Sequence, residues 1–279
     1  MDAALNQIFF PQTYQELFSR WAKHPDAVPY AGGTMLFSLQ GSRTPALPRK
    51  LISLDKLAEL RRISRTERYL EVGAMVKLSD IIYLGKIVPE ALTRCLEGIA
   101  NPQVRNLATI GGNICFKDRR MDGSAPMIAL DALYELRSAQ SSRWVSASRF
   151  SSLPGPINLG PQELLSRIRI PLEQWNYTIC KKYPAAGTNN SGGFMVFILK
   201  NQKDTLTDLR IVFTGSLILR DKKSESILVG RRLPLERKDI HTFMDHWRIY
   251  LSAIHSMDDL LLEKVNNFVK TSLLALADG

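Results

Sequence analysis

Two glycine pairs constrain this chain more than any other feature: AGGTML at Ala31 to Leu36 and TIGGNIC at Thr109 to Cys115. Glycine takes up positive φ without steric cost, so a turn built on it can gather bare backbone N–H groups and aim them at one anion. Thr34 and Thr109 add hydroxyl donors and Asn113 a carboxamide donor, and the missing Cβ lets a ligand come close to the main chain. Either run alone reads as an ordinary glycine turn. Together, each following a predicted element, they read as two halves of a cradle for a diphosphate.

Other site chemistries find little support. No GxGxxG follows a predicted strand and no GxxxxGK precedes serine or threonine, which excludes the dinucleotide-fold fingerprint and the P-loop. GxSxG, HExxH and CxxC are likewise missing. The three cysteines, Cys95, Cys115 and Cys180, give neither a disulfide framework nor a metal knot. Of His24, His241, His246 and His255, only His24 lies near a glycine turn in sequence. No metal site and no catalytic acid, base or nucleophile is expected; the expected chemistry is binding.

The elements follow from periodicity. Thr13 with Glu16 forms a capping box ahead of Leu17, Phe18 and Trp21, so a helix opens there and Pro25 ends it. Strands are expected at Ala27 to Tyr30, Leu51 to Ser53, Arg62 to Ser64 and Tyr69 to Val72, and helices from Leu78 and from Pro89, with proline in the first helical turn. The segment NPQVRNLA then links to TIGGN. Tyr134 to Ser138 and Arg143 to Ser146 form a hairpin, and Ile168 to Ile170 is the last strand before a domain edge at Pro171. Beyond it, strands at Phe194 to Leu199, Leu209 to Phe213 and Ser216 to Leu219 precede helices over Asp239 to Ile254 and Leu260 to Leu276. Strands grouped apart from helices make this an α+β chain.

At 279 residues and 45% apolar content, the length suits two domains, or one with subdivisions. No apolar run approaches the roughly 20 residues of a membrane span, and the N-terminus lacks the basic start of a secretory signal. With three cysteines and no framework, a reducing cytoplasm is the expected compartment. The net charge of +10 comes from basic pairs scattered along the chain without aromatic interleaving, so nucleic acid is an unlikely partner.

AGGTML, LEVGAMVKLSDI, IANPQVRNLATIGGNIC, APMIALDA and ELLSRIRIP occur in an order and spacing that resembles the FAD-binding medium subunit of the molybdenum hydroxylases, the group of xanthine dehydrogenase and carbon monoxide dehydrogenase. The resemblance covers nearly the whole length. It implies a two-subdomain FAD-binding domain of the flavin-oxidase (PCMH-like) type over 1–171, divided at about 58, and a smaller C-terminal domain of antiparallel sheet and helices over 172–279. It further implies FAD on this chain, molybdopterin on a large partner subunit, 2Fe–2S clusters on a small one, and an acceptor such as NAD. The chain would then be an oxidoreductase subunit that does not turn over substrate alone.

Position by position, the resemblance implies a first pyrophosphate loop of Pro29, Tyr30, Ala31, Gly32, Gly33, Thr34, Met35 and Leu36, and a second of Thr109, Ile110, Gly111, Gly112 and Asn113. Asp122 falls near the flavin's sugar chain, Leu165 beside the isoalloxazine, and Lys182 where some relatives carry a flavin-contacting lysine, with Lys181 its rival. The chain departs from the pattern at Met35, at Arg119 and Arg120 in the loop before Pro126, and after Lys182, where the usual arginine is missing. Two other classes stay open beside this reading. One is a standalone flavin oxidase with covalently held flavin; the other is a flavin-free scaffold or basic interaction module.

Overall fold

The structure, a computed structural model, describes residues 7–40, 47–117, 120–151, 156–184, 192–255 and 257–277. The expectations placed on Arg119 and on the arginine-poor stretch at 185–191 lie outside these residues, as do positions 152–155 of the proline- and glycine-rich segment before the proposed domain edge.

The chain is α+β, and its described residues form three sheets. The first is parallel, with β1 (Gln7–Phe9) and β2 (Val28–Tyr30) flanking β3 (Lys50–Ser53). Helix α1 (Tyr14–Lys23) joins β1 to β2 and starts as its sequence dictates: Thr13 Oγ1 accepts from Glu16 N–H at 3.2 Å, and Glu16 Oε2 accepts from Gln12 N–H at 2.9 Å. Leu17, Phe18 and Trp21 on its inner face are buried. Helix α2 (Thr34–Gln40) follows β2 directly, with Gly33 at φ +69° as the pivot. A β-branched or bulky residue would be strained at that angle.

The second sheet is antiparallel, in the order β4 (Ile63–Arg65), β5 (Tyr69–Gly73), β8 (Leu164–Pro171), β6 (Leu133–Arg137), β7 (Ser142–Ser146). Between β5 and β6 the chain runs through five short helices: α3 (Leu78–Tyr83), α4 (Glu90–Glu97), α5 (Pro102–Arg105), α6 (Ile110–Ile114) and α7 (Ser124–Ala129); α8 (Ala147–Phe150) follows β7. The third sheet, also antiparallel, has the order β12 (Ile218–Leu219), β11 (Thr205–Thr214), β10 (Gly193–Gln202), β9 (Tyr177–Tyr183). It is followed by α9 (Lys222–Leu228), α10 (Arg237–Ser252) and α11 (Asp259–Leu274). No helix among the described residues is long and apolar enough to cross a membrane.

Strand alternation explains how the third sheet joins two cores. Phe194, Val196, Ile198 and Val212 face the first core, shared with the N-terminal half of the chain. Met195, Phe197, Leu199, Ile211 and Phe213 face the second, covered by Phe243 and Trp247 of α10 and Val265 and Val269 of α11. The unbroken apolar run Phe194 to Leu199 is therefore a strand buried on both faces.

The structure revises several elements. β1 and β9 form from segments in which no strand was expected; each is an edge strand with only partial apolar alternation. β8 runs over eight residues where three were expected, because it is sandwiched between β5 and β6. Pro89 is the N-cap of α4, not its first helical residue. The presumed linker NPQVRNLA contains α5, capped by Asn101 Oδ1 accepting from Val104 N–H at 2.9 Å.

Four charged side chains interlock across β5, β8 and β6. Arg167 Nη1 meets Glu71 Oε2 at 3.0 Å and its Nη2 meets Glu135 Oε1 at 3.3 Å, while Arg169 grips Glu71 from the other side. Burial alone would raise both carboxyls, but Arg169 and Arg167 at Glu71, and Ser166 and Arg167 at Glu135, reverse this and hold each below its ordinary value. A depressed folded-state pKa contributes stability above the unfolded-state value, about 4.3 for glutamate. That stability is lost as pH falls through the folded value. Thermal melts are expected to fall in midpoint as pH drops from 5 toward 3, and Arg167→Gln should flatten that acid limb; an unchanged limb in the variant would contradict the assignment. Glu225 works with the opposite sign, because burial raises it above its ordinary value.

Candidate functional site

The two glycine turns meet. Gly32 lies so close to the chain preceding the second turn that a Cβ on it would stand 2.0 Å from Leu107 O and 3.2 Å from Ala108 Cα. Only a residue without a side chain permits this approach. Together the turns wall a cleft of about 610 Å³.

Pro29, Tyr30, Ala31, Gly32, Gly33, Thr34, Met35 and Leu36 all line this cleft. It holds the start of α2, whose first-turn amides have no intrahelical partners and carry the positive end of the helix dipole. From the second turn, Thr109, Gly112 and Asn113 line it, joined by Asp122 and Lys182. Ile110, Gly111 and Leu165 are buried behind or away from the wall: Ile110 is in the first core, Gly111 abuts Ala74, and Leu165 sits in β8 at 2% exposure.

The second turn corrects one expectation, that both turns present bare amides. TIGGN is the helix α6, with Thr109 as N-cap. Ile110 N–H donates to Val76 O at 3.0 Å, Gly111 N–H to Ala74 O at 2.8 Å, Gly112 N–H to Thr109 Oγ1 at 3.1 Å and Asn113 N–H to Thr109 O at 3.0 Å. Its main chain is spent on docking the turn against the 74–76 segment. What it offers a ligand is an uncovered surface at Gly112, where a Cβ would meet only Thr109 Oγ1 at 3.0 Å, and the polar groups of Thr109 and Asn113. Backbone donors for an anion come from the first turn.

The rest of the wall was not singled out by residue. Ile99, Val104, Ala108, Phe116 and Met121 supply apolar surface. Arg105 fixes the bend that carries the first of these: its Nη1 donates to the carbonyls of Glu97, Ile99 and Ala100 at 3.0, 2.9 and 2.9 Å. A sequence signal did exist, since IANPQVRNLA is continuous with TIGGN. Cys115 also lines the cleft, and burial pushes its thiol up to about 12, so no thiolate stands ready there at neutral pH.

Lys182 closes the cleft from β9. Its ammonium donates to Gly98 O at 2.8 Å and pairs with Asp122 Oδ2 at 3.0 Å. Asp122 is thus held by a cation, its side chain 13% exposed. Lys181 points to the other face of β9, its ammonium 5.6 Å from the Tyr183 ring centroid. Arg120, a departure from the pattern at sequence level, is 2% exposed; its Nε donates to Ser151 O at 2.9 Å and its backbone N–H to Gly215 O at 3.1 Å. It is a structural pin that ties the cleft loop to the third sheet.

The donor set fits a dinucleotide carrying a diphosphate, a sugar chain and a flat ring system. The first-turn amides of α2 and the Thr34 hydroxyl suit phosphate oxygens, and the apolar wall suits a ring. Asn113, 8% exposed, has a buried Oδ1 with no hydrogen-bond partner, and Gly123 lies against it.

Comparison with known proteins agrees. Residues 4–173 match the family described as the FAD binding domain in molybdopterin dehydrogenase. The chain is 31% identical over 163 residues to the xanthine dehydrogenase FAD-binding subunit of Escherichia coli O157:H7, an alignment covering 57% of this chain and 55% of that one. It is 30% identical over 220 residues to the carbon monoxide dehydrogenase medium chain of Hydrogenophaga pseudoflava, covering 76% and 75%. The chain thus spans about half the length of the first of these relatives and three quarters of the second. Among solved structures, that of quinoline 2-oxidoreductase from Pseudomonas putida 86 superposes with a TM-score of 0.80 at 25% identity, covering 98% of this chain and 97% of that one.

Proposed function

The chain belongs to the family of FAD-binding domains of molybdopterin dehydrogenases, and from that premise we propose that it is the electron-transfer subunit of a molybdenum hydroxylase or dehydrogenase complex. In this reading it stands between 2Fe–2S clusters on a small partner subunit and an acceptor such as NAD, with the molybdopterin on a large subunit and the assembly in the cytoplasm. The convergence of the two glycine turns on one cleft carries the reading. FAD, when bound, supplies the exchange between one-electron and two-electron redox chemistry.

The chain's own residues bind and orient. The first turn, Pro29 to Leu36, holds the diphosphate through the α2 amides and Thr34, while Gly112 leaves room beside it. Thr109 and Asn113 meet hydroxyl and phosphate oxygens, and Asp122, kept in place by Lys182, meets the sugar chain. Met35 brings a thioether in place of a hydrogen-bonding side chain. Leu165, enclosed in the first core, supports the wall rather than touching the ring. The division at Pro171 fits the chain's passage from β8 into the third sheet.

Titration of the purified chain with FAD, followed by quenching of flavin fluorescence, tests this. One FAD per chain is expected. Gly112→Val places an isopropyl group in the cleft and crowds only Thr109 Oγ1 at the α6 cap, away from the bonds to residues 74 and 76, so affinity should fall at least tenfold with the fold unchanged by circular dichroism. No saturable binding by the wild type would refute the reading.

A further inference from the structure

Helix α7 begins at the cleft and ends in the grip of the third sheet. Its six residues are buried. At its start, Ser124 N–H donates to Met121 O at 2.9 Å and Ala125 N–H to Asp122 O at 3.2 Å, so the first turn grows out of two cleft-lining residues. Gly123 lies against Asn113; a Cβ there would stand 2.4 Å from the unpartnered Asn113 Oδ1. A shift of α7 along its axis therefore moves Asp122 and Asn113 together.

Two arginines at its other end prevent that shift. Arg210 of β11 donates from Nη1 to Ala129 O at 2.7 Å and pairs with Asp131 Oδ2 at 2.8 Å. Arg220, just past β12, donates from Nη1 to Ile128 O at 3.1 Å and pairs with Asp131 Oδ1 at 3.3 Å. These are the last carbonyls of a helix, where the negative dipole end favours a cation, and Ile128 O also accepts from Asp131 N–H at 3.2 Å. Both guanidinium groups are themselves fixed. Arg210 is held by Asp208 Oδ2 at 2.9 Å and stacks 4.7 Å from the Trp175 ring centroid, and Arg220 is held by buried Glu225 at 3.3 Å. With side chains only 13% and 10% exposed, they are committed to this task rather than to solvent.

We propose that Arg210 and Arg220 are positioning residues for the FAD cleft: they clamp the C-terminal end of α7 and, through that helix, fix Asp122 and Asn113 at the cleft wall. The third sheet is on this account part of the cofactor site, although among the described cleft-lining residues it contributes only Lys182. The coupling runs through one continuous buried helix instead of a diffuse network. The inference rests on the FAD reading above.

The test compares FAD affinity with stability in the full chain. Arg210→Gln and Arg220→Gln are each expected to weaken FAD binding about tenfold, which corresponds to about 1.4 kcal/mol, and to alter the visible circular dichroism of the bound flavin. Arg210→Lys and Arg220→Lys, which can still reach a carbonyl, should recover part of both. Asp131→Asn tolerates the positive φ of 52° at that position and should weaken binding with little loss of Tm, which keeps the test decisive if a glutamine variant fails to fold. Val265→Ala, in the second core on the far side of the sheet, should lower Tm without changing affinity or the flavin spectrum. Wild-type affinity and spectrum in the arginine and Asp131 variants would overturn the clamp alone. So would a fall in affinity that merely tracks Tm in all variants, Val265→Ala included. A wild type that binds no FAD would overturn the cofactor reading and the clamp with it.

Discussion

Gly32→Val is expected to abolish FAD binding while the chain stays folded. The cause lies between the turns and not in the ligand. A Cβ at position 32 would stand 2.0 Å from Leu107 O and 2.9 Å from Leu107 C, both main-chain atoms that cannot rotate aside as a flexible side chain would. To admit a valine the first turn must move away from the 107–108 segment, which carries the start of α2 away from the second turn. Ala108 is at the margin of the first core at 9% exposure and Leu107 is exposed, so the melting midpoint should change less than the affinity. Flavin titration and a thermal melt of the same sample read both quantities. A Gly32→Val variant that binds FAD as the wild type does would show that the turns need not meet.

Trp247→Ala is expected to produce the largest stability loss, about 3–5 kcal/mol for truncating a fully buried tryptophan. Trp247 is 1% exposed on α10, with Phe243 and Tyr250 at ring-centroid distances of 6.2 and 5.4 Å. Its Nε1 has no hydrogen-bond partner, so Trp247→Phe gives up packing but no hydrogen bond and should cost much less. Because α10 covers the face of the third sheet turned away from α7, chain that remains folded should bind FAD with unchanged affinity. Chemical denaturation and flavin titration check the two halves of this expectation; equal stability for Trp247→Ala and the wild type would contradict the packing account.

Much of the site was legible in the sequence because its constraints are local. AGGT and TIGGN announce main chain that must be approached closely, and Thr13, with Glu16 three residues on, announces a helix start; no distant contact is needed to read either. What the sequence hid depends on neighbours far along the chain. The amides of Ile110 and Gly111 look free until residues 74 and 76 are seen accepting from them. Edge strands β1 and β9 have partners on one side only, so their apolar alternation is weak. Leu165 lies in a strand between two others and is 2% exposed in the first core, outside the cleft lining, which spacing alone does not disclose. Arg120 departs from the pattern of the resemblance in the loop before Pro126, and it is buried and bonded to Ser151 O. The resemblance located residues, and packing decides which of them line the cleft.

Hydrogen exchange resolved to single amides, with and without saturating FAD, bears most directly on the claim that these turns form one cofactor cradle. The account predicts strong slowing at Gly33 to Leu36 on FAD addition, with Ile110 to Asn113 already slow in the free chain because their bonds are internal. Saturable FAD binding that leaves Gly33 to Leu36 exchanging at their free rates would place the cofactor elsewhere and contradict it.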